Sequence, residues 1–440
     1  MFKHRPSAGL IWLILLAPIP GVAQVQVFEG ARLLPVSGPA IDNGTLVVEA
    51  GRIVALGATG SVPVPDGATR IDVAGKVIIP GLVDTHSHVG IFPRPMVPAH
   101  ADGNESTGPV QPQLRALDAI WPADPGIRMA LAGGITTANI MPGSGNVIGG
   151  QTVYAKLRGD TVEQMLIPGS IGGLKMANGE NPKGNYGSRG QAPATRMAVT
   201  ALAREQFLKA RAYRAALQAW EREGKRKGEP APARDLGMEA LLEALDGTRI
   251  VQHHTHRADD ILSVLRLAEE FGLRVVIQHG TEAWKVAAQL AARDVPVSLI
   301  VIDAPGGKLE ATGYRYDAPA ILDRAGVRVA FHTDDFINSS RFLLREAALA
   351  VRGGIDADTA LRAVTLEAAR MLDLADRLGS LEPGKDADFV VLSGDPFSSR
   401  THVEQTWIEG VKVFDRANPD DLRHAVGGFA LPAHTAGLEE

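Results

Sequence analysis

Two histidines separated by a single residue close an apolar run at Val77-Ile78-Ile79-Pro80-Gly81-Leu82-Val83-Asp84-Thr85-His86-Ser87-His88. A continuous apolar stretch of this kind reads as a strand buried on both faces. Along a strand, residues i and i+2 point to the same side, so His86 and His88 reach toward one point. They do so at the C-terminal end of the strand, where a parallel α/β barrel places its active site. Two neutral imidazoles aimed at one point suit a borderline cation such as Zn²⁺. The alternative is an incidental His-X-His triplet in a surface loop, and the rest of the chain decides between them.

The chain contains no cysteine, so disulfides, thiolate nucleophiles and cysteine-held metals are excluded. Any metal must be held by His, Asp, Glu or a modified Lys. The formal charge of −5, without a basic stripe, argues against nucleic acid as a partner. At the N-terminus, Lys3 and Arg5 precede the apolar run 10–17, which Pro18, Pro20 and Gly21 break before the small residues Gly21-Val22-Ala23. Residues 1–23 therefore read as a secretory signal peptide. The run is shorter than the about 20 residues that span a bilayer. We expect an exported protein, periplasmic or secreted, starting near Gln24 and free of the membrane after cleavage.

Residues 24–79 hold short β-rich runs separated by Gly, Asn, Pro and Asp turns, and the same texture returns across 380–440. We expect these two ends to form one small composite β-sandwich. Between them, over 80–379, apolar strands alternate with helical stretches, the pattern of βα units. The strand candidates are 78–88, 136–141, 151–157, 170–177, 249–254, 274–279, 297–302 and 327–334, which closes a (β/α)₈ TIM-type barrel within the α/β class. Two segments interrupt the rhythm. Residues 93–125, rich in Pro, Gly and Asn, read as a long loop over the barrel mouth. Residues 196–234 read as a helical insertion, with Tyr213, Leu217 and Trp220 on one face, that could serve as a lid or a homo-oligomer contact.

Several later strands end in polar residues. Gln252-His253-His254-Thr255-His256 carries three histidines, Ile277-Gln278-His279 carries one, and Phe331-His332-Thr333-Asp334-Asp335 ends in a carboxylate pair. Lys175 lies within a strand candidate, and Glu180 follows it in Asn178-Gly179-Glu180-Asn181-Pro182, which reads as loop. Burying several unpaired polar groups costs several kcal/mol each, so they must share partners, and a cation is the simplest common one.

These motifs resemble the amidohydrolase superfamily, in its imidazolonepropionase-like branch of metal-dependent hydrolases. The resemblance rests on Pro80-Gly81-Leu82-Val83-Asp84-Thr85-His86-Ser87-His88, Gly133-Gly134-Ile135-Thr136-Thr137, His279-Gly280-Thr281-Glu282, His332-Thr333-Asp334 and Leu381-Glu382-Pro383-Gly384-Lys385-Asp386-Ala387-Asp388. It implies one or two divalent metals, with His86 and His88 holding the more buried one. It implies His254 as the fifth-strand ligand, with His253 and His256 as rivals, and His279 as the sixth-strand ligand. Asp334 would bind metal and act as the general base, while His279 would also help to polarise the substrate carbonyl. At the fourth-strand bridging position, Lys175 is the first choice and Glu180 the second. An ammonium cannot ligate a cation, so Lys175 serves there only when carboxylated.

The implied reaction is hydrolysis of a C–N bond in a small amide, cyclic amide or dipeptide. Metal-dependent deamination is the main alternative. It wants a glutamate three residues after the fifth-strand histidine, where this chain has Arg257, although Glu282 follows His279 at that spacing. Lactone or phosphoester hydrolysis, and a non-catalytic exported binding protein, complete the alternatives. For substrate recognition, the glycine-rich 141–151 segment and Tyr186, Arg189, Arg257 and Arg315 are candidates to meet an anion or a carbonyl.

Overall fold

Gly81 is the pivot between the two parts of the fold. Before it, Val77–Pro80 pairs with the chain's terminal strands; after it, Leu82–Ser87 begins the barrel. The Gly81 N–H still bonds Asp388 O (2.9 Å), while the Leu82 N–H bonds Gly134 O (3.0 Å). A Cβ on Gly81 would lie 2.2 Å from Thr136 Oγ1, so the crossing admits only glycine. The computed structural model describes residues 25–301 and 308–427. The expected leader, residues 1–23, lies outside the described residues. Among them, no helix is long and apolar enough to cross a membrane.

The two ends of the chain share one sheet. Phe389–Leu392 pairs antiparallel with Val77–Pro80, and Val403–Ile408 and Val411–Asp415 extend that edge. Gln26–Leu33 pairs with Val77–Pro80 and carries Ile41–Glu49 and Arg52–Ala58 on its other side. The inner face is apolar: Phe28 stands edge-on to Phe389 and Trp407 at 4.9 and 5.0 Å, over Leu46, Ile53 and Ile78. Among the described residues the pairing gives one continuous sheet; it does not by itself define the two layers of a sandwich.

The central part is a mixed α/β, TIM-type barrel. Parallel pairing runs from Leu174–Ala177 through Val251–Thr255, Val275–His279 and Val297–Leu299 to Val329–Phe331. Leu82–Ser87 pairs parallel with Ile135–Ile140. The third position departs from the expected βα rhythm. It consists of Ile148–Gln151 and Val153–Lys156, both antiparallel to their neighbours. A parallel return needs a crossover of a dozen or more residues, and the chain from Ile140 to Ile148 is too short to make one. Thr152 joins the two halves, with its N–H on Gly173 O and its Oγ1 accepting from the Gly173 N–H, both at 2.8 Å.

The first and eighth strands meet at their C-terminal ends. Asp334 N–H bonds His86 O (2.9 Å) and His88 N–H bonds Asp335 O (3.0 Å). Behind them, the buried Asp84 carboxylate accepts the Thr333 N–H (3.1 Å) and hydroxyl (2.5 Å). The expected insertion begins as the helix Arg196–Ala219, capped by Thr195. Its buried stripe is Val199, Ala203, Phe207 and Ala210, packed toward helices Leu236–Leu245 and Ala258–Phe271. Tyr213, Leu217 and Trp220 lie beyond that stripe and stay half-buried.

Candidate metal centre

Strand ends from all round the central part bring six imidazoles into contact. The rings of His86, His88, His254, His256, His279 and His332 form a chain with neighbouring centroids 4.4 to 5.1 Å apart. Into one end of this cluster projects Asp334, with Oδ1 3.1 Å from His88 Nε2 and 3.3 Å from His86 Nε2. His86, His88 and Asp334 can present three ligand atoms within 4.8 Å of one another, and so can His254, His256 and His279. Two further signs mark the centre as built for function. His279 (φ 69°) and Asp334 (φ 50°) both sit in left-handed backbone, which non-glycine residues seldom adopt.

The Nδ1 atoms of these rings are taken up elsewhere. His86 Nδ1 meets Gln278 Oε1 (3.2 Å) and His88 Nδ1 meets Met141 O (2.7 Å). His254 Nδ1 meets Ser144 Oγ (2.8 Å) and His256 Nδ1 meets Thr281 Oγ1 (2.7 Å). A carbonyl partner forces the proton onto Nδ1 and leaves the Nε2 lone pair facing the centre. Burial, reinforced by neighbouring cations and imidazoles, holds His86, His254 and His279 well below the usual histidine range, and depresses His256 and His332 to about 3. His86, His254, His256, His279 and His332 are therefore neutral at physiological pH. His279 Nε2 is buried and has no hydrogen-bond partner. Converging unprotonated lone pairs and an orphaned ring nitrogen form a donor set that fits a divalent cation.

Asp334 is ionised. Burial alone would raise its carboxyl, but the close approach of His88 and the fields of His332 and Lys175 outweigh it and hold it below the ordinary range. Lys175 lies fully buried on Leu174–Ala177, its Nζ 3.0 Å from His86 Nε2 and 3.2 Å from Met141 Sδ. Burial pushes it down to about 7, against the pull of Asp334.

The expected residues fall into two groups. His86, His88, Lys175, His254, His279 and Asp334 all come together, and His256 joins them. His253 does not: it points away, between Met176, Val199 and Val264, with Nδ1 on His254 O. Strand alternation separates it from His254. Glu180 opens the helix Glu180–Gly187 rather than lying in a loop, and it belongs to none of the ligand groups. Asp335 faces away from Asp334 and bonds Arg94 and Ser340, which anchors the long loop. Arg257 and Arg315 are exposed and paired with Asp259 and Asp317. The Tyr186 hydroxyl holds the loop carbonyls of Glu105 and Gly108.

Two residues of the cluster carried no assigned role in the sequence. His332 lies two residues before Asp334, the same i, i+2 relation as the first pair, so its position was readable; its Nε2 is 3.1 Å from His279 Nδ1. Lys308 lies outside the regular elements, where periodicity says nothing. Its Nζ lies 2.9 Å from His256 Nε2 and 3.4 Å from His254 Nε2. The centre opens into a cavity of about 310 Å³, lined among others by His88, Phe92, Gly143, Ser144, Lys308, Asp334 and Phe336.

Comparison with known proteins agrees with this geometry. Residues 77–413 match the amidohydrolase family. Amidohydrolase tasK of Hapsidospora irregularis is 30% identical over 92% of the chain; the chain spans 43% of that relative's length. A 5-methylthioadenosine/S-adenosylhomocysteine deaminase of Symbiobacterium thermophilum is 26% identical, over 84% of this chain and 85% of its own. Among solved structures, an amidohydrolase from Thermotoga maritima MSB8 superposes with a TM-score of 0.85 at 39% identity, covering 89% of this chain and all of that one.

Proposed function

The chain belongs to the amidohydrolase family, and from that premise we propose that it is a metal-dependent hydrolase cleaving a C–N bond in a small amide, cyclic amide or dipeptide. The observation that carries the reading is Asp334: an ionised carboxylate within 3.3 Å of the ring nitrogens of both His86 and His88, at the mouth of a cavity. His86, His88 and Asp334 would hold one divalent cation, Zn²⁺ by the chemistry of the donor set; His254 and His279 would hold a second. A bound Zn²⁺ would supply Lewis acidity, lowering the pKa of water toward the neutral range. Asp334 is placed to take the water's proton on a carboxylate oxygen as the substrate carbonyl is attacked, and to return it to the departing nitrogen. His279, with Nδ1 taken by His332, has only Nε2 free, so it would either hold the second cation or, protonated there, help to polarise the carbonyl.

Lys175 is the bridging candidate. At a pKa of about 7 a substantial share of it is neutral amine. That amine can add to CO₂, forming an N–C bond and releasing a proton, and so gain an anionic oxygen able to bind cations. We further read the two sheets joined at Thr152, with the first and eighth strands in contact, as one closed barrel, and the end sheet as the composite sandwich. Residues 1–23 remain, in this proposal, a leader that directs export; N-terminal sequencing of the mature protein should begin near Gln24.

Deamination is the weaker reading, although two relatives bear that name. Arg257 is turned to solvent. Glu282 is occupied, with Oε2 accepting the Ala258 N–H (2.9 Å) and Oε1 paired with Lys285 (2.5 Å). Neither offers a proton to a ring nitrogen in the cavity. Asp334→Asn is the direct test of the hydrolase reading. Asparagine tolerates left-handed backbone, so the fold should stand, while turnover of cleavable amides should fall by about 10²- to 10⁴-fold. Wild-type turnover in that variant would remove Asp334 from the chemistry.

A further inference from the structure

Lys308 is a half-buried cation on the wall of the cavity. Three other cations of the interior close on carboxylates, Arg94 on Asp335, Lys156 on Asp386 and Arg249 on Glu243, whereas Lys175 meets His86 and Met141. Lys308 forms no ion pair among the described residues; its hydrogen bonds go to His254 and His256. Glu310 beside it is engaged by Arg196. A half-buried positive charge with donors to spare favours an anion. Any cation held by His254 would repel the ammonium from its present contacts and free it further.

The cavity is also two-sided. On the His254 side, Lys308 is joined by the amides of Asn104, Asn181 and Asn185 and by the backbone of Gly143–Gly145. On the His88 side stand Phe92 and Phe336, whose rings lie 5.6 and 6.4 Å from His88 and 5.3 Å from each other. Ile337 continues this wall and is 56% exposed, apolar surface left at the mouth of the cavity.

Resting on the hydrolase reading, we propose that the substrate is an amide carrying a free carboxylate, which Lys308 recognises, together with an apolar group that packs on Phe92, Phe336 and Ile337. N-acyl amino acids and dipeptides with an apolar residue have this chemistry. Lys308 selects the substrate and takes no part in proton transfer, which remains with Asp334.

The test is a panel of N-acetyl amino acids and dipeptides, each offered to the metal-loaded enzyme as the free acid and as its C-terminal amide. A charge-assisted contact predicts that kcat/KM for the acids exceeds that for the amides by about 10- to 100-fold, mainly through KM. Lys308→Gln should erase this preference by raising KM for the acids alone, and Lys308→Arg should keep part of it. Equal rates for acids and amides in the wild type, or a preference that survives in Lys308→Gln, would overturn the role of Lys308 while leaving the hydrolase reading intact. If the wild type cleaves no member of the panel, yet turns over uncharged amides, the substrate class is wrong. If no amide of any kind is cleaved, the hydrolase reading falls first and this inference falls with it.

Discussion

His253 and His254 are adjacent in sequence and opposite in consequence. His254 faces the cation site; His253 is buried among apolar side chains on the outer side of the strand. Burial is the main cause that depresses His253 to about 4, against a small upward pull from the His254 carbonyl. Unfolded, it would titrate near 6.5. A base with a depressed folded pKa contributes its full stability above the unfolded value and loses it as pH falls toward the folded one. The window therefore runs from about 6.5 down to about 4, and at pH 5 the loss is about 2 kcal/mol. His253→Leu keeps the packing and deletes the titration. Urea unfolding of the metal-free protein at pH 7 and pH 5 should show a drop smaller by about that amount in the variant; an unchanged drop would mean that His253 takes up its proton freely in the fold. At this scale the site was legible in the sequence wherever a strand supplied the residue. The period of two marked His86 and His88, and the strand ends marked the histidine run 253–256, His279 and Asp334; the choice of His254 and the place of Lys175 came from the family resemblance. Strand position alone left His253, His254 and His256 as rivals, because one residue of register decides which face each takes. Lys308 was not legible, because irregular chain carries no period.

Lys156 shows how elements are tied together. It ends the antiparallel third strand, fully buried, and its Nζ meets Asp386 (2.6 Å), Asp388 (3.1 Å) and Glu409 (2.9 Å) of the terminal segment. Burial raises Asp388 despite that pairing, and Lys156 with Arg377 and Arg52 keeps Asp386 low against its own burial. Removing Lys156 leaves the buried Asp388 with no ion pair among the described residues, while Arg377 and Arg52 still hold Asp386. Lys156→Met should therefore destabilise the protein by about 3–5 kcal/mol in chemical denaturation. Arg257→Ala, which breaks an exposed pair, should stay within about 0.5 kcal/mol. Similar losses in the two variants would show that the cluster is not desolvated. The third strand is also where the sequence misled. Its apolar residues announced a strand, but its direction depended on the length of the connection before it, which forbids a crossover. Glu180 was likewise assigned to a loop because Gly179 and Pro182 flank it, whereas Pro182 falls within the first turn of a helix, where proline is tolerated.

Across the whole molecule, the two chain ends form a support and the strand ends form a site. None of the clustered ligands comes from the end sheet; its aromatic core of Phe28, Phe389 and Trp407 serves stability. Trp407→Ala should cost about 3–5 kcal/mol by leaving a cavity, while kcat per folded molecule stays near that of the wild type. A lost kcat with unchanged stability would instead place the end sheet in the chemistry. The pairing of the ends was readable from their shared β texture, since strands without a partner nearby must find one elsewhere in the chain. The central claim is that side chains far apart in sequence share a cation. Elemental analysis of the purified protein, followed by chelation and reconstitution with activity measured at each stage, tests it most directly. We predict one or two equivalents of a divalent metal per chain, with turnover lost on chelation and restored by Zn²⁺; full turnover from a metal-free chain would contradict the account.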